Sequence, residues 1–281
     1  MKYKKEIEEI LSLTNKAHDI LKKIIAGLDE NESGLHDDTF CLDPKKNFQS
    51  FIEGDSNKIA RKVGLSIAEK PASNIYNPFF IYGPSGCGKS HLINAIGLKF
   101  QETNPDKRVL YVSAQQFQRQ FTDSVRQNTT NDFIDMYQAV DVLIVDDVEE
   151  WMKSPKTLET FIQIFNYLIC TGKQIIIASD RPPVELKGIK RSVLTRFASG
   201  LIAELEPPNE QLCIDILNTK YNHENQKVPA EVIEFIAKTA NSSVYELEGV
   251  VNSLMAYSTI NNIDIDIPLA KRVVMRSVKL N

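Results

Sequence analysis

The run Gly83-Pro84-Ser85-Gly86-Cys87-Gly88-Lys89-Ser90 restricts what this chain can fold into more than any other stretch. It satisfies G-x-x-x-x-G-K-[ST], with Phe79-Phe80-Ile81-Tyr82 before it as a strand and His91-Leu92-Ile93-Asn94-Ala95-Ile96-Gly97 after it as a helix start. A glycine-rich loop between strand and helix lets backbone N–H groups close around a β-phosphate, and the helix dipole favours the anion. Gly83, Pro84, Ser85, Gly86, Cys87, Gly88, Lys89, Ser90 and His91 are therefore candidate nucleotide-binding residues. Lys89 is expected to reach the β- and γ-phosphates as a point charge, and the Ser90 hydroxyl to ligate Mg²⁺.

Around this loop, apolar runs alternate with helical patterns. Arg108 to Val112 reads as a strand, Gln115 to Gln127 and Phe133 to Ala139 as helices, and Val142 to Asp147 as an apolar strand ending in two carboxylates. A helix from about Leu158 to Cys170 and a strand from Gln174 to Ala178 follow. The alternation predicts an α/β fold, a parallel sheet with helices on both faces. After Pro207-Pro208 only helical patterns remain, which predicts a small all-helical domain over 206–281 behind a nucleotide-binding domain over 42–205. Residues 1–41 read as an amphipathic helix and an acidic linker; the helix packs on its own domain or docks a partner.

A net charge of −4 argues against a wholesale nucleic-acid coat and leaves room for a local basic patch. The four cysteines form no C-x-x-C pair, as in a cytosolic protein with reduced thiols. No run approaches the roughly 18 apolar residues of a membrane span, and the charged N-terminus has no signal-peptide core. A cytoplasmic protein without a membrane span is expected.

Four further residues are candidates for catalysis. Asp146 ends an apolar strand about 60 residues after the phosphate loop, where a P-loop ATPase holds its Mg²⁺. Asp147 beside it is placed to orient or activate water; the plainer reading of both is helix capping. Asp180, in Ser179-Asp180, would lie near a γ-phosphate, or merely form a turn before Pro182-Pro183. Arg196 is a surface arginine or one delivered in trans to a neighbour's phosphate.

Together these residues resemble the AAA+ core of DnaA, the bacterial replication initiator family, over roughly residues 42–280. Asn47 to Asn57 is similar to the family's segment bordering the adenine, and Tyr76-Asn77-Pro78 to its approach to the P-loop strand. Val145-Asp146-Asp147 resembles its Walker B strand, Ser179-Asp180-Arg181 sensor 1, Leu194-Thr195-Arg196-Phe197 box VII, and Glu246-Leu247-Glu248-Gly249 the sensor 2 helix. The resemblance implies ATP or ADP with Mg²⁺ as cofactors and Arg196 as an arginine finger. It further implies assembly with itself or full-length DnaA through AAA+ contacts, by way of a helical insertion between Val112 and Asp141. Single-stranded DNA at Lys156 and Thr157, and a helicase or polymerase clamp, are its other implied partners.

Tyr245 stands where the family has the sensor 2 arginine, and tyrosine carries no permanent positive charge, so hydrolysis is expected to be weak or absent. Ser192 stands where a second box VII arginine is expected. The family's duplex-reading and helicase-docking domains are also expected to be missing. The reading is a DnaA-like ATP/ADP-binding protein acting in replication initiation or its regulation. The alternatives are a DnaC-type helicase loader ATPase and a non-hydrolysing nucleotide-bound adaptor.

Overall fold

The chain forms five parallel strands: β1 (Phe79–Tyr82), β2 (Val109–Ser113), β3 (Val142–Asp146), β4 (Gln174–Ser179) and β5 (Leu201–Glu204). Their order is β2-β3-β4-β1-β5. The computed structural model describes residues 42–70, 74–223 and 228–277; the N-terminal amphipathic helix and linker lie outside the described residues. Strands β3 and β4 are buried at every position, which is why they read as unbroken apolar runs rather than as alternation. Strand β5 escapes that signal. It pairs only with β1 at the sheet edge and buries Ala203 alone.

Both faces of the sheet are covered. Phe79 and Ile81 of β1 join a core with Leu92, Ile96 and Phe100, built on helices α1 (Lys58–Glu69) and α2 (Lys89–Thr103). Phe80 points the other way, 5.9 Å from the ring of Phe197, which lies 6.3 Å from Phe161. That second face carries α3 (Ala114–Gln127), α4 (Thr130–Gln138), α5 (Pro155–Cys170) and the short α6 (Arg191–Phe197). Helices α3 and α4 form the insertion expected before Asp141. Phe117, Phe133 and Tyr137 hold it together with ring centroids 4.8–5.1 Å apart.

Local chemistry sets several helix starts. Ser113 and Gln116 form a reciprocal capping box at α3. Helix α5 begins at Pro155, three residues before the apolar pattern suggested, because proline at the first helical turn leaves an N–H vacant where none is needed. Strand β3 stops one residue short of the expected Asp147, whose φ of +56° turns the chain out of the sheet.

Helices α7 (Glu210–His223), α8 (Ala230–Thr239), α9 (Val244–Asn261) and α10 (Ile267–Ser277) follow. They share an apolar core that includes Leu217, Val232, Ile236, Val250, Leu254 and Val273. Among the described residues no helix is long and apolar enough to cross a membrane.

Candidate nucleotide-binding site

The loop after β1 is shaped by its glycines. Gly86 and Gly88 take φ of +82° and +98°, and Gly88 caps α2. A Cβ on Gly86 would sit 2.6 Å from the Ser243 Cβ and 3.0 Å from the Tyr245 ring, so the loop touches the start of α9 directly. The Val244 N–H donates to the Gly86 carbonyl at 2.9 Å. Lys89, only 7% exposed, folds back so that its ammonium donates to the carbonyls of Gly83 (2.7 Å) and Pro84 (3.1 Å). Two neutral carbonyls compensate a desolvated cation only in part, which suits the loop to an anion.

Beside the loop, β4 lies between β1 and β3, so three strand ends converge. Asp146 is buried at the end of β3. Its Oδ2 accepts the Tyr111 hydroxyl at 2.7 Å, and its Oδ1 accepts the Asp147 N–H at 3.0 Å. The tyrosine was not visible as a site residue in the sequence; only parallel pairing of β2 with β3 brings it alongside. Asp147 precedes the 3₁₀ turn Val148–Lys153 yet makes no side-chain capping bond. Partial burial, reinforced by Asp146 and Glu149, pushes the Asp147 carboxyl up to about 6, while Lys89 pulls it down. Burial also raises Glu149, one of whose carboxylate oxygens has no hydrogen-bond partner.

At the end of β4, Ser179 is fully buried. Asp180 accepts two hydrogen bonds from Arg181, at 2.7 and 2.6 Å, and they hold its carboxyl below the usual range. Asp180 thus pairs with its neighbour, and the charge of Lys89 lowers its carboxyl further.

That cleft, about 960 Å³, opens between the loop, the segment Asp43–Ile52, and helices α7 and α9. Lys89, Ser90, His91 and Asp147 line one wall, Lys45, Lys46 and Ile52 a second, and Ile216, Lys220, Tyr245 and Glu248 the third. The second wall is tied to α2 through Asn94, whose amide bonds Asp43 and Lys46 at 2.8–2.9 Å. His91 Nε2 lies 3.1 Å from the Asn47 carbonyl and 3.1 Å from the Ser50 Oγ. A carbonyl only accepts, so Nε2 carries the proton, and burial pushes the ring toward its neutral form. A smaller recess of about 80 Å³ beside Ile52, Asn57, Leu212 and Ile216 adds an apolar corner. Lys45, Lys46, Ile216 and Lys220 had no sequence signal, since they belong to no motif and meet only in the fold.

Tyr245 stands over this cleft, 64% exposed. Partial burial and the nearby Asp146 and Asp147 push its phenol up. Lys220 forms an ion pair of 3.1 Å with Glu248, joining α7 to α9. Among the described residues no group of three or more His, Cys, Asp and Glu side chains could hold a metal alone. Ser90 lines the cleft and Asp146 ends β3 beside it, oxygen donors of the kind Mg²⁺ takes when phosphate and water supply the rest of its octahedron.

The remaining candidates lie elsewhere. Arg196, on α6, donates to the Ser192 carbonyl at 3.3 Å and lines a separate groove of about 210 Å³ with Trp151, Met152, Leu158 and Val193. Lys156 is exposed at the start of α5, whereas Thr157 is buried, so of that pair only Lys156 presents its side chain to solvent.

Residues 42–204 match the family described as the bacterial DnaA ATPase domain. The chromosomal replication initiator protein DnaA of Bacteroides fragilis is 53% identical over 238 residues, 85% of this chain and 50% of that one. The DnaA of Flavobacterium psychrophilum is 43% identical over the same shares. The chain therefore spans about half the length of the curated relatives it matches. Domain III of Thermotoga maritima DnaA superposes with a TM-score of 0.81 at 32% identity, covering 85% of this chain and all of that one. A replication initiator DnaA bound to AMPPCP and single-stranded DNA gives 0.72 at 32% identity, covering 79% and 69%.

Proposed function

The chain belongs to the bacterial DnaA family, and from that premise we propose that it binds an adenine nucleotide with Mg²⁺ and acts in replication initiation or its regulation through nucleotide-dependent assembly. The observation that carries this reading is the cleft itself, where a phosphate loop, a buried Asp146 and helices α7 and α9 meet around one space. We take 42–205 as the nucleotide-binding domain and 206–281 as its lid.

In this reading the loop amides and Lys89 hold the phosphate chain, and the apolar corner by Ile52 and Ile216 receives the base. Ser90 and Asp146 would hold Mg²⁺, which when bound would neutralise phosphate charge. Tyr111 keeps one oxygen of Asp146 occupied and so fixes the carboxylate's orientation. Asp147, raised to about 6, is basic enough to take a proton from water near neutral pH. Arg196 lines a groove separate from its own cleft, as suits a group that acts on a neighbouring copy or on full-length DnaA. Lys156 is a phosphate contact for single-stranded DNA, of the kind that adds salt-dependent affinity.

The test is binding of fluorescent ATP and ADP analogues with and without Mg²⁺, in the parent chain and in Lys89→Ala. Binding lost in the variant supports the reading; absence of binding to the parent chain overturns it. Turnover by full-length DnaA on DNA, with and without this protein, then tests the role in trans. Stimulation that vanishes in Arg196→Ala supports it, and equal stimulation by the variant removes Arg196 from the mechanism. Tyr245 favours a second reading, a nucleotide-bound adaptor that does not hydrolyse. Appreciable turnover by the parent chain alone would rule that out.

A further inference from the structure

Among the described residues that line the wall made by α7 and α9, Ile216, Thr219, Val244 and Tyr245 carry no charge at neutral pH, Glu248 is negative and Lys220 alone is positive. A bound triphosphate presents several negative oxygens, and on the opposite side Lys89 already answers them. Without a cation on the lid side, closing these helices over phosphate would bring Glu248 toward like charge with nothing to offset it.

Lys220 is positioned to change partners. Its ammonium lies 3.1 Å from Glu248 Oε1, and both side chains remain partly exposed, 28% and 44%. Glu248 sits one helical turn beyond Tyr245 on the same face of α9. The ring of Tyr245 abuts Gly86 of the phosphate loop. Lys220 lines the same cleft as Ser85, Gly86 and Lys89 of the phosphate loop, on the wall where Tyr245 meets Gly86. A half-exposed carboxylate holds a lysine weakly, whereas a phosphate chain offers more charge and more acceptor oxygens.

We propose that Lys220 is the phosphate-contacting cation of the lid, exchanging its bond to Glu248 for one to a nucleotide phosphate when the cleft fills. Glu248 holds the ammonium at the cleft wall until phosphate binds, and the bound phosphate then ties α7 to the loop. The tie strengthens with phosphate charge, so it discriminates ATP from ADP. This inference rests on the nucleotide-binding reading above.

The experiment measures the affinity of the full chain for fluorescent ATP and ADP analogues with Mg²⁺, across Lys220→Met, Lys220→Arg, Glu248→Gln and Lys89→Ala. Lys220→Met is expected to lose about tenfold or more in ATP affinity, the scale of one charge-assisted hydrogen bond, and less for ADP. Lys220→Arg should recover most of it. Glu248→Gln separates a phosphate contact from a merely structural ion pair: it frees Lys220 and should tighten ATP binding. If Glu248→Gln weakens ATP binding as much as Lys220→Met, the pair only braces the lid and the proposal fails. Parent-like ATP affinity in Lys220→Met also overturns it, provided Lys89→Ala still abolishes binding. A parent chain that binds neither analogue overturns instead the reading on which it rests.

Discussion

The hydroxyl of Tyr111 donates a 2.7 Å hydrogen bond to Oδ2 of the buried Asp146, across two adjacent strands. Burial and the aspartate's charge together raise the phenol well above its ordinary range, so it stays a donor at any physiological pH. Tyr111→Phe leaves a buried carboxylate oxygen unanswered. The expected cost is about 1–3 kcal/mol of folding stability, read from urea unfolding. A variant as stable as the parent would mean that Asp146 finds another donor.

Gly86 couples the phosphate loop to α9. Alanine there is strained twice, by a φ of +82° and by a methyl 2.6 Å from the Ser243 Cβ. Gly86→Ala should lose about 1 kcal/mol or more from backbone strain and push α9 off the loop. Hydrogen exchange at the Val244 amide, bonded to the Gly86 carbonyl in the parent, should speed up. Unchanged exchange at that amide would show that the contact is not retained in solution.

Asp147 makes stability depend on pH with a definite sign. Its carboxyl, raised to about 6 chiefly by burial, holds a proton more tightly in the folded chain than in the unfolded chain, where the ordinary value is about 3.9. Its contribution therefore favours folding fully below about pH 4 and is lost as the pH rises through 6. Asp147→Asn should unfold at higher denaturant than the parent at pH 8, with the gap closing by about pH 4. A gap that stays constant across that range would refute the raised value.

Trp151, fully buried and the only tryptophan of the chain, pins the α3–α4 insertion to the sheet domain. Its indole N–H donates to the Ala114 carbonyl at 2.7 Å, and its ring lies 5.1 Å from Phe117 and 4.7 Å from Phe161. Trp151→Ala should cost about 3–5 kcal/mol, by circular dichroism against denaturant. Trp151→Phe keeps most of the packing but strands the carbonyl, and should cost about 1–3 kcal/mol.

The phosphate loop, the apolar strand ending at Asp146 and Asp147, and the alternation of buried strand and helix were legible because each is local. A glycine spacing, a run of β-branched residues and a carboxylate at a strand end show themselves within a dozen residues. The same locality made Tyr245 visible beside Glu246-Leu247-Glu248-Gly249. Strand β5 was not legible, because an edge strand with one buried residue carries no apolar run. Nor was α6, only seven residues long and without a helical period to detect.

What only the tertiary structure decided is which distant residues share one space. Parallel pairing sets Tyr111 against Asp146, 35 positions apart, and helix packing sets Lys220 against Glu248, 28 apart. The fold also pairs Asp180 with Arg181 within the influence of Lys89, and places Arg196 in a groove of its own. The physical reason is that motif chemistry depends on neighbours along the chain, whereas the walls of a cleft depend on how separately folded elements bury their apolar faces. The sequence by itself determined that there is a phosphate loop. The fold decided what faces it.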